Sequence, residues 1–185
     1  MAQSINDFKS NFSGGTRKNR FRITGNFPYG GAFNIFQVMS AGMPQNNLFV
    51  VEYDYRGRKL KLPGDRTYGG QGSSVWQVTI LDDANTNPSQ LWSKLHDWSN
   101  SINNHLSNTG DQITPSTYKA NGWVVDQLDL NCTNVLKSVK LYGCWPISVG
   151  EIQLDMRVPD EYVTFSVAFS FDYIDSLFNL CVVLS

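Results

Sequence analysis

The stretch VTFSVAFSFDY, residues 163–173, alternates Val163, Phe165, Val167, Phe169, Phe171 and Tyr173 with Thr164, Ser166, Ala168, Ser170 and Asp172. Successive strand side chains point to opposite faces, so this period of two predicts a strand with an aromatic slab on its core face. The other face carries short polar groups, as suits a sheet surface that is smooth and wet. Just upstream, residues 151–158 (EIQLDMRV) alternate Ile152, Leu154, Met156 and Val158 with Glu151, Gln153, Asp155 and Arg157. They predict a partner strand, with Pro159-Asp160 turning the chain between the two.

Working outward, residues 124–132 and 135–143 read as a further strand pair, residues 75–81 (VWQVTIL) as a strand, and residues 20–27 as the first strand. Residues 48–55 and 58–62 read as a hairpin turning at Arg56-Gly57, where glycine supplies positive φ. Its second arm, RKLKL, predicts one face to bury and another that offers Arg58, Lys59 and Lys61. Residues 28–47 are punctuated by glycine and proline and predict irregular chain, partly buried through Phe33, Ile35 and Phe36. A single helix is predicted over residues 88–106. Asn87 caps it, Pro88 takes the tolerated first position, Gln90 completes a capping box, and Leu91, Leu95, Trp98 and Ile102 recur at helical spacing, with Trp92 and Leu106 widening the stripe. The fold class is therefore mainly β: an antiparallel β-sandwich or barrel of about seven strands with one flanking α-helix. Residues 1–19 read as an N-terminal arm, residues 20–173 as the domain, and residues 174–185 (IDSLFNLCVVLS) as an apolar tail that docks on its own domain or on a neighbour.

Composition narrows the class. The 185 residues suit one domain. Charged residues make up 17%, against about 25% in typical domains, which fits a surface covered by other protein. The net charge of −1 hides an asymmetry. Residues 1–70 carry ten basic and four acidic groups, net +6, and residues 71–185 carry five basic and twelve acidic groups, net −7. Complementary halves suit a molecule that meets its own copies head to tail, unless the two sets intermix on one surface. No stretch reaches the roughly 20 apolar residues of a membrane span, and the opening MAQSINDFKSNFSGG has no signal-like apolar run. Three cysteines (Cys132, Cys144, Cys181) are too few for a disulfide framework and read as reduced.

Catalytic chemistry finds no foothold. His96 and His105 lie nine residues apart, about 900° of helix rotation, and so face opposite ways. Asp82-Asp83 reads as loop and cap, and Gly69-Gly70-Gln71-Gly72 lacks the lysine and following helix of a phosphate loop. No nucleophile elbow is present, and no metal or cofactor is expected. A second reading, a monomeric β-sandwich that binds nucleic acid or another ligand, draws on Arg17, Lys18, Arg20 and Arg22, although the overall pI of about 6.1 is low for that class.

Four ordered segments carry a resemblance: NDFKSNFSGGTRKNRF; KLPGDRTY with WQVTILDD; the helix LWSKLHDW; and LYGCWPISVGEIQLD with YVTFSVAFSFDYI. Together they span nearly the whole chain, which resembles the tail tube family of contractile-tailed bacteriophages, baseplate tube-initiator proteins included. That family's fold is similar to the Hcp rings of type VI secretion. The resemblance implies a virion protein, made and assembled in the host cytoplasm, whose homohexameric rings stack into the tube for genome delivery. It implies sheath, baseplate and tape-measure proteins as partners, and viral DNA that passes without specific binding. It also implies that the hairpin contacts the next ring through Arg56, Arg58, Lys59 and Lys61. The lumen would draw on Thr164, Ser166, Ser170 and Asp172, or on Glu151, Gln153 and Asp155. Both a repeating tube subunit and a one-ring initiator stay open.

Overall fold

The computed structural model describes residues 4–11, 15–28, 31, 37–68, 74–82, 91–104, 106–110, 114–157 and 161–177. In chain order the elements are α1 (Ile5–Asn11), β1 (Phe21–Thr24), β2 (Val38–Ala41), β3 (Asn46–Tyr55), β4 (Arg58–Tyr68) and β5 (Val75–Leu81). There follow α2 (Leu91–Ile102), α3 (Pro115–Tyr118), β6 (Trp123–Leu128), β7 (Val135–Tyr142), β8 (Trp145–Val149), β9 (Thr164–Ser170) and β10 (Tyr173–Leu177). Two four-stranded antiparallel sheets, β1-β6-β7-β10 and β2-β5-β9-β8, face each other, and β3-β4 forms a separate two-stranded ribbon. The mainly-β sandwich with a flanking helix is as the sequence predicts, with ten strands among the described residues rather than about seven.

The core lies where the inward faces meet. Ile23, Trp123, Val125 and Leu141 come from the first sheet, and Trp76, Val78, Ile80, Phe165, Val167 and Phe169 from the second. Helix α2 adds Leu91, Leu95 and Trp98, all buried, as the helical spacing requires. Trp123 stands at the centre, its ring 5.1 Å from Phe169, 5.9 Å from Trp76, 6.0 Å from Phe27 and 6.3 Å from Trp98. Its indole donates to the Asn26 carbonyl at 3.1 Å, so burial leaves no polar atom stranded.

Several sequence expectations need correction. The 163–173 run is not one strand. Phe171 N–H donates to Ser74 O and Asp172 N–H to Tyr142 O, so the chain leaves the second sheet there and enters the first as β10. Tyr173 is accordingly half exposed instead of joining the aromatic slab, and the boundary expected at residue 173 falls inside pairing, since β10 runs on to Leu177 beside β7. The partner strand expected at residues 151–158 is absent from 151–157. β9 is already flanked by β5 and β8, so no ladder is open to it, and Leu154 and Met156 project into solvent. Residues 28–47, expected to be irregular, contain β2 on the edge beside β5. The helix stops at Ile102, and Leu106 sits in a turn, fully exposed, rather than on the apolar stripe. The arm contains the seven-residue α1. Asn87, Pro88, Gln90, Phe33, Ile35, Phe36 and the 178–185 end of the tail lie outside the described residues.

Truncating the central ring, Trp123→Ala, is expected to cost about 3–5 kcal/mol of folding stability. Urea unfolding followed by circular dichroism measures this, and a loss under about 1 kcal/mol would contradict the packing described.

Candidate assembly surfaces

The β3-β4 ribbon is built by its turn. Arg56 (φ 50) and Gly57 (φ 76) both occupy the left-handed region, the requirement of a two-residue turn whose twist matches its strands. The register pairs Tyr55 with Arg58, Asp54 with Lys59, Tyr53 with Leu60, Glu52 with Lys61 and Val51 with Leu62. Because side chains alternate, the ribbon has two different faces. One carries Glu52, Asp54, Lys59 and Lys61. The other carries Phe49, Val51, Tyr53, Tyr55, Leu60 and Leu62, every one of them exposed.

This arrangement corrects the expectation of a buried face opposite a basic one. Neither face is buried, and Arg58 falls on the aromatic side, away from Lys59 and Lys61. Lys59 and Lys61 are held within the ribbon: Glu52 takes Lys59 at 3.0 Å and Lys61 at 3.6 Å. These exposed pairs contribute at most about 1 kcal/mol each, but they leave that face near neutrality. At the tip the Arg56 guanidinium lies 5.5 Å from the Tyr55 ring, with Arg58 alongside.

A second surface is the outward face of the β2-β5-β9-β8 sheet. The register sets Thr164 beside Leu81, Ser166 beside Thr79, Ala168 beside Gln77 and Ser170 beside Val75, with Ser148 across from Ala168 and Ser40 across from Thr79. None of these residues is charged. Glu151, Gln153 and Asp155 lie at the Thr164 end of that sheet. They line one open cleft together with Thr79, Thr164, Ser166, Glu161 and Tyr162. The two lumen sets offered as alternatives by the sequence therefore adjoin each other. Asp172 does not belong with them: it accepts Lys119 Nζ at 2.7 Å and 2.9 Å at the crossing between the sheets. Asp155 accepts Arg157 Nη2 at 3.0 Å, and this hydrogen bond holds its carboxyl below the usual carboxylate range.

Other candidates resolve into structure. Arg22, counted in the basic run, donates to buried Asp126 at 2.8 Å, and Ser138 Oγ donates to the same carboxylate at 2.7 Å. The contacts knit β1, β6 and β7 on the face opposite core residue Val125, and sequence alone did not reveal them, because strand alternation assigns Asp126 to the outer face and is silent about its burial there. Arg20 Nη1 lies 3.1 Å from the exposed Cys132 Sγ. Burial, with a smaller push from Asp172, raises the Cys144 thiol to about 12. His96 lies against Trp92 in a tilted contact, centroids 4.0 Å apart and planes at 53°, and His105, Asp83 and residues 69–72 lie outside the described residues. Among the described residues no three His, Cys, Asp or Glu side chains gather to hold a metal.

The family model for phage tail tube protein matches residues 10–175. The chain belongs to the phage tail tube protein family. It is 29% identical to the tail tube protein gp19 of Enterobacteria phage T4, over 91% of this chain and 98% of that protein. It is 30% identical to the gp19 of Enterobacteria phage T6 over the same shares. Among solved structures, the fold matches a chain in the anti-feeding prophage baseplate with TM-score 0.64 at 13% identity, covering 90% of this chain and 98% of that one. It also matches a chain of an extracellular contractile injection system sheath-tube complex with TM-score 0.62 at 15% identity, covering 95% and 99%. A tail tube protein is a structural component of the virion, and this family is not enzymatic.

The turn makes a local demand that can be checked. Gly57→Ala forces a Cβ into the left-handed region at about 1–2 kcal/mol. Hydrogen exchange at the ribbon amides near the turn is expected to quicken about 5–30-fold, with the amides of β5 and β9 unchanged.

Proposed function

We propose that this chain is the repeating subunit of a tail tube, forming homohexameric rings that stack into a conduit for DNA. The observation that carries this reading is the end-to-end correspondence with proteins named tail tube protein, 98% of whose length is matched. That full match favours the repeating subunit over a one-ring initiator. The sheath, baseplate and tape-measure proteins are the remaining partners under this reading, and the host cytoplasm is the place of assembly.

The geometry supplies a physical rationale. Strands β2 and β8 are the edges of the second sheet, and exposed edges are sites of further pairing. Copies set side by side around an axis would join β8 of one to β2 of the next, closing the sheets into one barrel. Its lining would be the uncharged outward face with Thr164, Ser166 and Ser170. Duplex DNA is held mainly by cations at its phosphates, so a wall of serine, threonine and alanine offers little to hold it. Glu151, Gln153 and Asp155 would stand at the rim of this barrel, and Asp172 within the subunit wall. The ribbon would reach the adjoining ring, with Arg56 and Arg58 addressing acidic groups there and Lys59 and Lys61 kept on Glu52.

Electron microscopy of the purified chain is expected to show rings and hollow tubes, and a strictly monomeric species at high concentration would overturn the reading. Assembled tubes are also expected to retain no linear duplex DNA in a filter assay at about 50 mM salt, a condition that favours phosphate contacts. Retention that falls steeply with added salt would argue for a cationic lumen.

A further inference from the structure

Resting on the reading of the chain as a ring subunit, we propose that residues 178–185 dock in a cleft on the neighbouring copy within the same ring. The cleft opens between edge strands β1 and β2, with a volume of about 640 Å³. Phe21, Ala41 and Val125 give it an apolar floor continuous with the core. Met39 (58% exposed) and Met43 (38%) stand uncovered along it. Arg20 also lines it, and the Arg20 Nε is buried with no hydrogen-bond acceptor among the described residues. A buried donor left unpaired is costly. The carbonyl of an extended chain laid in the cleft would satisfy it.

Composition, position and reach name the occupant. Residues 178–185 (FNLCVVLS) carry no charge and six apolar side chains, which water solvates poorly. They fall outside the family match, which ends at residue 175. Leu177, the last residue of β10, pairs with Ser138, which pairs with Asp126, which pairs with Arg22. The chain therefore leaves its sheet at the level of Arg20 and Phe21, which is the level of the cleft, but on the opposite edge. The crossings at Gly143 and Asp172 put β10 and β8 on one side of the sandwich, and the cleft lies on the other, with β1 and β2. Setting β8 beside β2 of the next copy brings the β10 edge within roughly one strand spacing of that copy's cleft. Eight extended residues reach about 26 Å, enough to enter it and lie along it. The route to the cleft of the same subunit crosses three strand spacings, about 14 Å, over an outward face that carries Arg22, Lys140 and Asp175. An uncharged apolar segment gains little there. Tail and cleft are unlike surfaces on opposite sides of one subunit, the heterologous contact from which rings are closed.

The native thiol of Cys181 allows the docking to be trapped as a disulfide. In a Cys132→Ser background, where Cys144 stays buried, Met39→Cys places a second thiol at the cleft. Oxidation with diamide joins two thiols, whose hydrogens pass to the reagent. Met39 is exposed, so the variant is expected to keep the wild-type thermal midpoint, and Met43→Cys is a second placement. Oxidised rings on a non-reducing denaturing gel are expected to give a ladder of linked chains up to the full ring, because each copy offers one thiol to each neighbour. Adding Cys181→Ser is expected to abolish the ladder. Tyr55→Cys, at the ribbon tip and away from the cleft, is expected to give none. A disulfide closed within one chain, rings without a ladder, a ladder that survives Cys181→Ser, or an equal ladder from Tyr55→Cys overturns the docking and leaves the ring reading standing. A wild-type protein that forms no rings overturns both.

Discussion

The structure depends on one constraint: four indole and phenyl rings from four separate elements, Trp123 at their centre, must share a single dry space. Trp123 belongs to the first sheet, Trp76 and Phe169 to the second, and Trp98 to α2. Rings of this size bring large apolar area into the core and prefer edge and tilted contacts, and those are the geometries found, with Phe27 and Trp76 nearly perpendicular to Trp123. Each buried indole also needs a partner for its N–H. Trp123 finds Asn26 O, Trp98 finds Tyr118 O at 2.8 Å, and Trp76 finds Gly42 O at 2.8 Å. The last of these anchors the chain four residues before the ribbon begins. The core thus fixes the root of the element that reaches outward.

The chain changes sheets twice at one place. Between β7 and β8 it crosses at Gly143, and between β9 and β10 it crosses back at Asp172. A Cβ on Gly143 would collide with the Asp172 carboxylate, and its φ of 68° is one that glycine alone adopts without strain. Lys119 binds that carboxylate, and the Ala120–Cys144 backbone pair closes the corner. The corner explains why the longest alternating run in the sequence is divided between the two sheets. Period two continues through a bend, because Phe171 keeps its inward aim, yet the ladder partner changes from β5 to β7. Alternation reports which way side chains point and is silent about which neighbour supplies the hydrogen bonds.

What the sequence made legible follows from that distinction. The class of fold, the ribbon, β5, the β6-β7 pair and the buried stripe of α2 were readable because each rests on local period or turn chemistry. Residues 151–157 were misread for the same reason: a perfect alternation does not make a strand where both neighbours of the adjacent strand are already taken. Edge strand β2 was missed because it is short and framed by turn residues. At the candidate surfaces, the basic residues of the ribbon were found but their grouping was wrong. Lys59 and Lys61 share a face with Glu52 through cross-strand register, which only pairing across the turn can fix.

That register carries a consequence for a subunit that must be soluble before it assembles and buried afterwards. Bringing a lone ammonium group into an interface costs several kcal/mol of hydration, recovered only if the neighbour places an acid well. With Glu52 already between Lys59 and Lys61, the charged face of the ribbon is nearly balanced on its own strand pair. It can stay wet or become partly covered with little change in electrostatic energy. The net positive charge is then concentrated at Arg56 and Arg58, whose planar guanidinium groups are less strongly hydrated and suit carboxylates at close range. An apolar face for adhesion, a balanced face for solubility and a small cationic tip for direction are different demands. The alternating pleat of a two-stranded ribbon lets one short segment meet all three.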